Sequence, residues 1–218
     1  MQKKGRLFFN IIIIIAVIAL VSVVGYALYY YISNFIAVKE AEDAVEAFER
    51  NVITVALEEE QQEEQAEEVP EEEEEETSSS SRSSSTYYKG YSMIGTIQIP
   101  KIKVKIPIVD KVTVSSITSA AGVLYGPGPN EIGNTVLVAH NYRNGTFFSN
   151  NKKLTEGDKI YVTDLDGRKI EYIITKTYET DEHDFSYATR NTEGKREISL
   201  STCTTDATKR LVIWAREN

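Results

Sequence analysis

Hydrophobic and polar positions are arranged along this chain in three distinct ways, and each predicts a different kind of segment. Residues 7–38 contain no charge, and residues 11–24 are dense in Ile, Val, Leu and Ala. An apolar run of that length predicts a helix that crosses a bilayer. Next, Ala41, Val45, Phe48, Val52 and Val55 recur at alternating intervals of four and three, which is the period of an amphipathic helix. Two heptads are too few for a coiled coil. The expectation is a helical continuation of the first segment that touches the membrane surface or nothing, ahead of a dimerisation seam. Residues 58–76 are nearly all Glu and Gln and residues 77–86 nearly all Ser, so neither has the apolar surface to fold. Residues 39–92 therefore read as an acidic stalk, helical and then disordered. Its roughly 30 low-complexity residues would reach about 100 Å when extended.

From residue 93 onward the pattern shortens to strand length. Residues 95–99, 104–108, 134–139, 159–163, 169–178, 197–202 and 210–216 are mostly rich in Val, Ile, Thr and Tyr. Turn signals such as Gly126-Pro127-Gly128-Pro129 and Asp166-Gly167 separate them. Only residues 115–121 and 147–154 look like helical turns. About eight short strands without alternating long helices predict an all-β domain over residues 93–218, a closed or nearly closed barrel.

Charge refines this division. Lys3, Lys4 and Arg6 precede the apolar run with no acidic residue among them, so residues 1–6 are expected in the cytoplasm and the rest of the chain outside the cell. The apolar run exceeds the core of a cleaved signal peptide and no convincing small-residue cleavage site follows, which favours an uncleaved anchor. The net charge of -9 comes from the stalk: residues 39–92 hold 18 acidic and 4 basic side chains, residues 93–218 hold 15 and 17. No concentrated basic, aromatic-interleaved surface is present, which argues against a nucleic-acid partner.

The chain has one cysteine, Cys203, so no intramolecular disulfide can form. Three chemically capable residues stand at expected strand ends. His140 closes Thr135-Val136-Leu137-Val138-Ala139, Cys203 closes Ile198-Ser199-Leu200-Ser201-Thr202, and Arg210 opens the last strand. A thiol becomes a nucleophile when an imidazole or a cation raises its thiolate fraction, and a guanidinium can also hold a developing oxyanion. Arg216 shares the strand parity of Arg210 but lies about 20 Å farther along. His183 falls in the polar stretch Asp181-Glu182-His183-Asp184 and reads as a solvated loop histidine.

These residues carry a resemblance. Leu200-Ser201-Thr202-Cys203 followed by Arg210-Leu211-Val212-Ile213 is similar to the sortase signature. Gly133-Asn134-Thr135-Val136-Leu137-Val138-Ala139-His140-Asn141 resembles that family's strand ending in the catalytic His, and Gly95-Thr96-Ile97-Gln98-Ile99-Pro100 resembles its opening strand. Ser199 stands where many members have Thr. The resemblance covers residues 93–218 and implies the eight-stranded sortase barrel. It also implies a transpeptidation: Cys203 attacks the Thr–Gly carbonyl of a Leu-Pro-x-Thr-Gly-like sorting motif, His140 protonates the leaving amine, and Arg210 positions substrate and oxyanion. Thr202, Thr204 and Asn141 are the neighbouring positions expected to meet substrate, with the Thr204 backbone N–H as a second oxyanion donor. An amine of a peptidoglycan precursor or a pilin lysine would resolve the thioester.

No cofactor and no metal are predicted, although the acidic loop around His183 resembles in composition the Ca²⁺-binding loop of some sortases. The chain shows no second apolar span after Trp214, unlike the pilin-polymerising type, and a short connection over residues 180–196. Both features point to a housekeeping-like or sporulation-associated subclass. Two other readings use the same residues: a peptide-binding barrel without turnover, and a cysteine peptidase that releases its product to water.

Overall fold

The computed structural model describes residues 2–66 and 87–218. The Ser run and the last part of the Glu/Gln run, read above as disordered, fall at residues 67–86 and lie outside the described residues. Helix α1, Gln2–Ala66, carries the first two hydrophobic patterns, and the chain divides within it into two units, Met1–Lys39 and Glu40–Asn218. In the first unit the helix is long and apolar enough to cross a membrane. Its Leu20, Val23 and Tyr29 side chains are all exposed. A helix with Ile and Val exposed on every side buries no face against protein, as a lipid-solvated span does.

The second unit is built from nine strands: β1 Tyr87–Tyr88, β2 Tyr91–Ile99, β3 Val104–Val109, β4 Ala121–Tyr125, β5 Gly133–Val138, β6 Lys159–Asp164, β7 Lys169–Asp181, β8 Arg196–Cys203 and β9 Lys209–Glu217. Their order is β1-β2-β3-β4-β5-β8-β9-β7-β6, and a further pairing of β2 with β6 joins the ends. Eight strands thus close into a barrel, and β1 is a two-residue flap on β2. Closure leaves no unpaired edge along the ring. Two pairings are parallel, β3 with β4 and β5 with β8. Period-2 alternation sends one side of each strand inward, where Ile97, Ile108, Leu137, Ile160, Leu200 and Ile213 are fully buried.

Strand β4 has no counterpart among the expected strands; it follows the helical turn expected over residues 115–121 and overlaps it only at Ala121. The helical part is a single 3₁₀ turn, Ser116–Thr118; Ala-Gly-Val-Leu-Tyr then pairs with β5. The following turn admits only glycine at Gly126, where φ is +102° and an added Cβ would lie 2.2 Å from the Asn134 carbonyl oxygen.

The amphipathic stripe of α1 has a partner in the barrel. Ala41, Val45 and Phe48 are completely buried in the same apolar cluster as the barrel interior, with Ala44 and Val52 packed against it. Glu40 pairs with Lys89 at 2.8 Å and Glu49 with Lys105 at 3.0 Å, while Val52 lies close enough to Gly167 that an added Cβ there would sit 2.7 Å from its Cγ1. Lys105 pairs with Gln98 on the outward side of β3 and β2, so the helix lies on the outside of that wall. The packed unit therefore begins at Glu40, ahead of the boundary expected at residue 93, and the helix is neither free nor a membrane-surface segment. Burial of Phe48 alone contributes on the order of 2–3 kcal/mol. Periodicity reveals a buried stripe but not what buries it. Strand order supplies the rest: β2 and β8 are diametrically opposite in the eight-strand ring, so the helix braces the wall opposite β8.

Candidate active site

Cys203, His140 and Arg210 meet because β8 lies between β5 and β9. The parallel register of β5 and β8 runs from Gly133↔Arg196 to Val138↔Ser201. His140 and Cys203 each stand two residues beyond that last pair, at the same level. On the other side, Cys203 pairs directly with Arg210 in the antiparallel β8–β9 ladder. Neighbouring strands are about 4.8 Å apart, so the backbone positions of His140 and Arg210 flank that of Cys203 on its two sides. Arg210 Nη1 donates to Cys203 Sγ at 3.2 Å.

Alternation along β8 decides which way the thiol faces. Ile198 and Leu200 belong to the barrel interior, which places Ser199, Ser201 and Cys203 on the outer face. The connection between β7 and β8 covers that face as far as Ser201. Tyr187 and Ser201 share a hydrogen bond between their hydroxyls at 3.2 Å, and Arg190 Nη1 donates to Ser199 Oγ at 2.6 Å. Cys203 is the first outward position past this cover and is partly exposed.

The imidazole is half-buried. Its ring centroid is 5.1 Å from that of Tyr142, and its backbone carbonyl accepts from Phe148 N at 3.3 Å. Burial pushes the His140 pKa below the ordinary imidazole value, because desolvation disfavours the charged form. The folded domain thus binds a proton at His140 less readily than the unfolded chain. His140 contributes stability that is present above about pH 6.5 and fades as the pH falls through its folded-state pKa. The expected result is an imidazole NMR titration with its midpoint below that of an exposed histidine. A midpoint at or above about 6.5 would contradict the desolvated environment.

The remaining expected site residues are placed as follows. Thr202 is buried, its Oγ1 donating to Ala139 O at 2.8 Å. Asn141 Nδ2 donates to Cys203 O at 2.9 Å and its Oδ1 accepts from Arg143 N at 3.0 Å. Both side chains bond across between the end of β8 and the segment that follows β5. Thr204 N donates to Lys209 O at 3.0 Å, so the amide expected to meet an oxyanion closes the β8–β9 hairpin. Arg216 stands at the far end of β9 and pairs with Glu197, Nε to Oε1 at 2.6 Å. His183 is 86% exposed. The carboxylates beside it accept turn-forming bonds, Asp181 from His183 N and Asp184 from Ser186 N and the Thr180 hydroxyl. Among the described residues, no three His, Cys, Asp or Glu side chains are grouped to hold a metal. Tyr142 is a site neighbour that strand-end reasoning does not reach. The one signal for Tyr142 is its position two residues after His140.

A sortase-domain family model matches residues 97–218. Sortase A of Bacillus anthracis is 31% identical over 125 residues, covering 56% of this chain and 58% of that protein. The chain spans less than two thirds of the length of its curated relatives. Among solved structures, the pilus-related sortase C of Group B Streptococcus superposes with a TM-score of 0.53 at 30% identity over 58% of this chain and 67% of that one. The sortase D5 of Clostridium perfringens superposes with a TM-score of 0.59 over 83% of this chain and 99% of that one, a likeness of fold at 23% identity. Matched by the family model over more than half of its length, with the family's barrel and with Cys203 between His140 and Arg210, this chain belongs to the sortase family.

Proposed function

We propose that the protein is a membrane-anchored cysteine transpeptidase acting on Leu-Pro-x-Thr-Gly-like sorting signals. The observation that carries this reading is the Arg210 guanidinium on the Cys203 sulfur, on the strand adjacent to the one ending in His140. Cys203 thiolate adds to the carbonyl carbon of the Thr–Gly bond. The negative charge that develops on its oxygen is stabilised by Arg210, a planar donor fork suited to such a group. The C–N bond then breaks, and His140 as imidazolium gives its proton to the departing glycine amine. A thioester remains, and an amine of a peptidoglycan precursor or a pilin lysine attacks it, transferring a proton back to His140 as the thiolate leaves. The apolar half of α1 anchors the chain in the membrane, with Lys3, Lys4 and Arg6 on the cytoplasmic side and the barrel outside. The short β7–β8 connection, Asp181 to Arg196, supports a housekeeping-like or sporulation-associated member.

Mass spectrometry tests this directly. The full chain in detergent is incubated with a library of Leu-Pro-x-Thr-Gly variants, with and without a glycine-based amine, beside Cys203→Ala. The expected result is an acyl adduct on Cys203 and, with amine, a joined product, both absent in the variant. A folded protein that forms neither with any peptide would favour a binding barrel without turnover. Product released only to water, even with amine present, would favour a peptidase.

A further inference from the structure

Both Cys203 and His140 lie beyond the last backbone rung that joins their strands, Val138↔Ser201. Cys203 is still paired with Arg210 on β9, but the segment carrying His140 has no rung to β8, and such ends fray. Transfer between thiol and imidazole nevertheless requires fixed geometry, since a misplacement of about 1 Å costs about 100-fold in rate. Side chains take over where the backbone ladder stops. Thr202 Oγ1 donates to Ala139 O, and one residue farther along Asn141 Nδ2 donates to Cys203 O at 2.9 Å. On its other side the same loop is held by Tyr142, whose hydroxyl donates to Thr118 O at 3.0 Å and whose ring packs against Phe147 with centroids 5.7 Å apart. The orientation of the Asn141 amide follows from chemistry. The Cys203 carbonyl can only accept and the Arg143 N–H can only donate, so Nδ2 must face the first and Oδ1 the second.

We propose that Asn141 is a positioning residue, a clamp from the histidine loop onto the nucleophile's own backbone that substitutes for the missing rung. It has both amide groups committed within the protein, so it acts through Cys203 and not by touching substrate. The clamp sits between the two catalytic strand ends, and its bond to Cys203 O fixes the backbone from which the thiol projects. The role rests on the transpeptidase reading above, and its test therefore includes a readout that needs no sorting peptide.

The full chain in detergent is compared with Asn141→Ser and Asn141→Ala. Serine retains a short acceptor for the Arg143 N–H, as in related turns, but cannot span to Cys203 O; alanine loses both bonds and adds no charge. For both variants kcat is expected to fall about 10- to 100-fold with KM within about twofold. The pH profile of Cys203 alkylation by iodoacetamide should change as well, by about threefold or more in rate at neutral pH, while the melting temperature stays within a few degrees. A loss carried by KM alone would make Asn141 a substrate contact and overturn the clamp. So would an Asn141→Ser variant with wild-type kcat and alkylation profile, or a loss of activity no greater than the loss of folded protein. If the wild type itself joined no peptide to amine, the transpeptidase reading would fail, and the alkylation profiles would still decide whether Asn141 sets the thiol's environment.

Discussion

Replacing Arg210 with alanine is expected to lower kcat/KM for a sorting peptide by about 10²- to 10³-fold, the scale seen when one oxyanion donor is removed. The backbone at this position is fixed from both sides, by Cys203 on β8 and by Thr180 on β7, so the substitution acts through the side chain. Two effects combine. The guanidinium 3.2 Å from Sγ no longer holds the nucleophilic sulfur in place. The cation that would meet the developing oxyanion also disappears, and the Thr204 amide, engaged with Lys209 O, does not replace it in this conformation. Arg210→Lys is expected to recover little, because an ammonium keeps the charge but not the planar fork. Peptide kinetics combined with iodoacetamide alkylation across pH separate the two effects. An Arg210→Ala variant within about threefold of wild type on both measures would remove Arg210 from the mechanism.

What could be read from the sequence follows from which interactions are local. Strands such as β5 and β8 announce themselves through Val/Ile/Leu alternation and turn residues at their ends, so the strand-end positions of His140, Cys203 and Arg210 were visible. Their adjacency was not, because the parallel pairing of β5 with β8 joins segments about 60 residues apart without any local signature. β4 escaped because Gly122 and the Ser/Thr run before it look like turn chemistry. Gly122 is there for close packing: a Cβ would lie 2.8 Å from Val112 Cγ2. The stripe of α1 was visible as a stripe, but a periodic apolar face says only that something covers it. The committed groups were hidden for a related reason. Asn141 and the Thr204 amide sit beside Cys203 in sequence or space, where proximity suggests substrate contact, and only their hydrogen-bond partners show that each already has work inside the fold.

Glu197→Ala is expected to cost about 3–5 kcal/mol of stability, as when one member of a buried ion cluster is removed and the others remain. Glu197 lies on the outer face of β8 with its side chain 6% exposed and bridges two cations, Arg190 Nη2 at 2.5 Å and Arg216 Nη2 at 2.6 Å. Arg190 cannot escape to water. Its Nη1 donates to Ser199 Oγ and Tyr187 O, and its guanidinium lies 4.6 Å over the Trp214 ring. Burial works against its charge and lowers its pKa, and the Glu197 carboxylate is the largest opposing influence. Without that carboxylate, two like charges face each other in a partly dry space. Glu197→Gln preserves the shape and one acceptor, so a smaller loss is expected from it. Arg190 belongs to the β7–β8 connection that covers β8 up to the residue before Thr202, so the damage should begin there. Denaturant unfolding gives the size of the loss. Amide hydrogen exchange gives its location: Tyr187 and Ala188 should lose protection before Leu137 or Leu200 in the barrel interior. Exchange that rises uniformly across the barrel, or a Glu197→Ala cost below about 1 kcal/mol, would mean that apolar packing, not the ion cluster, holds the connection against β8.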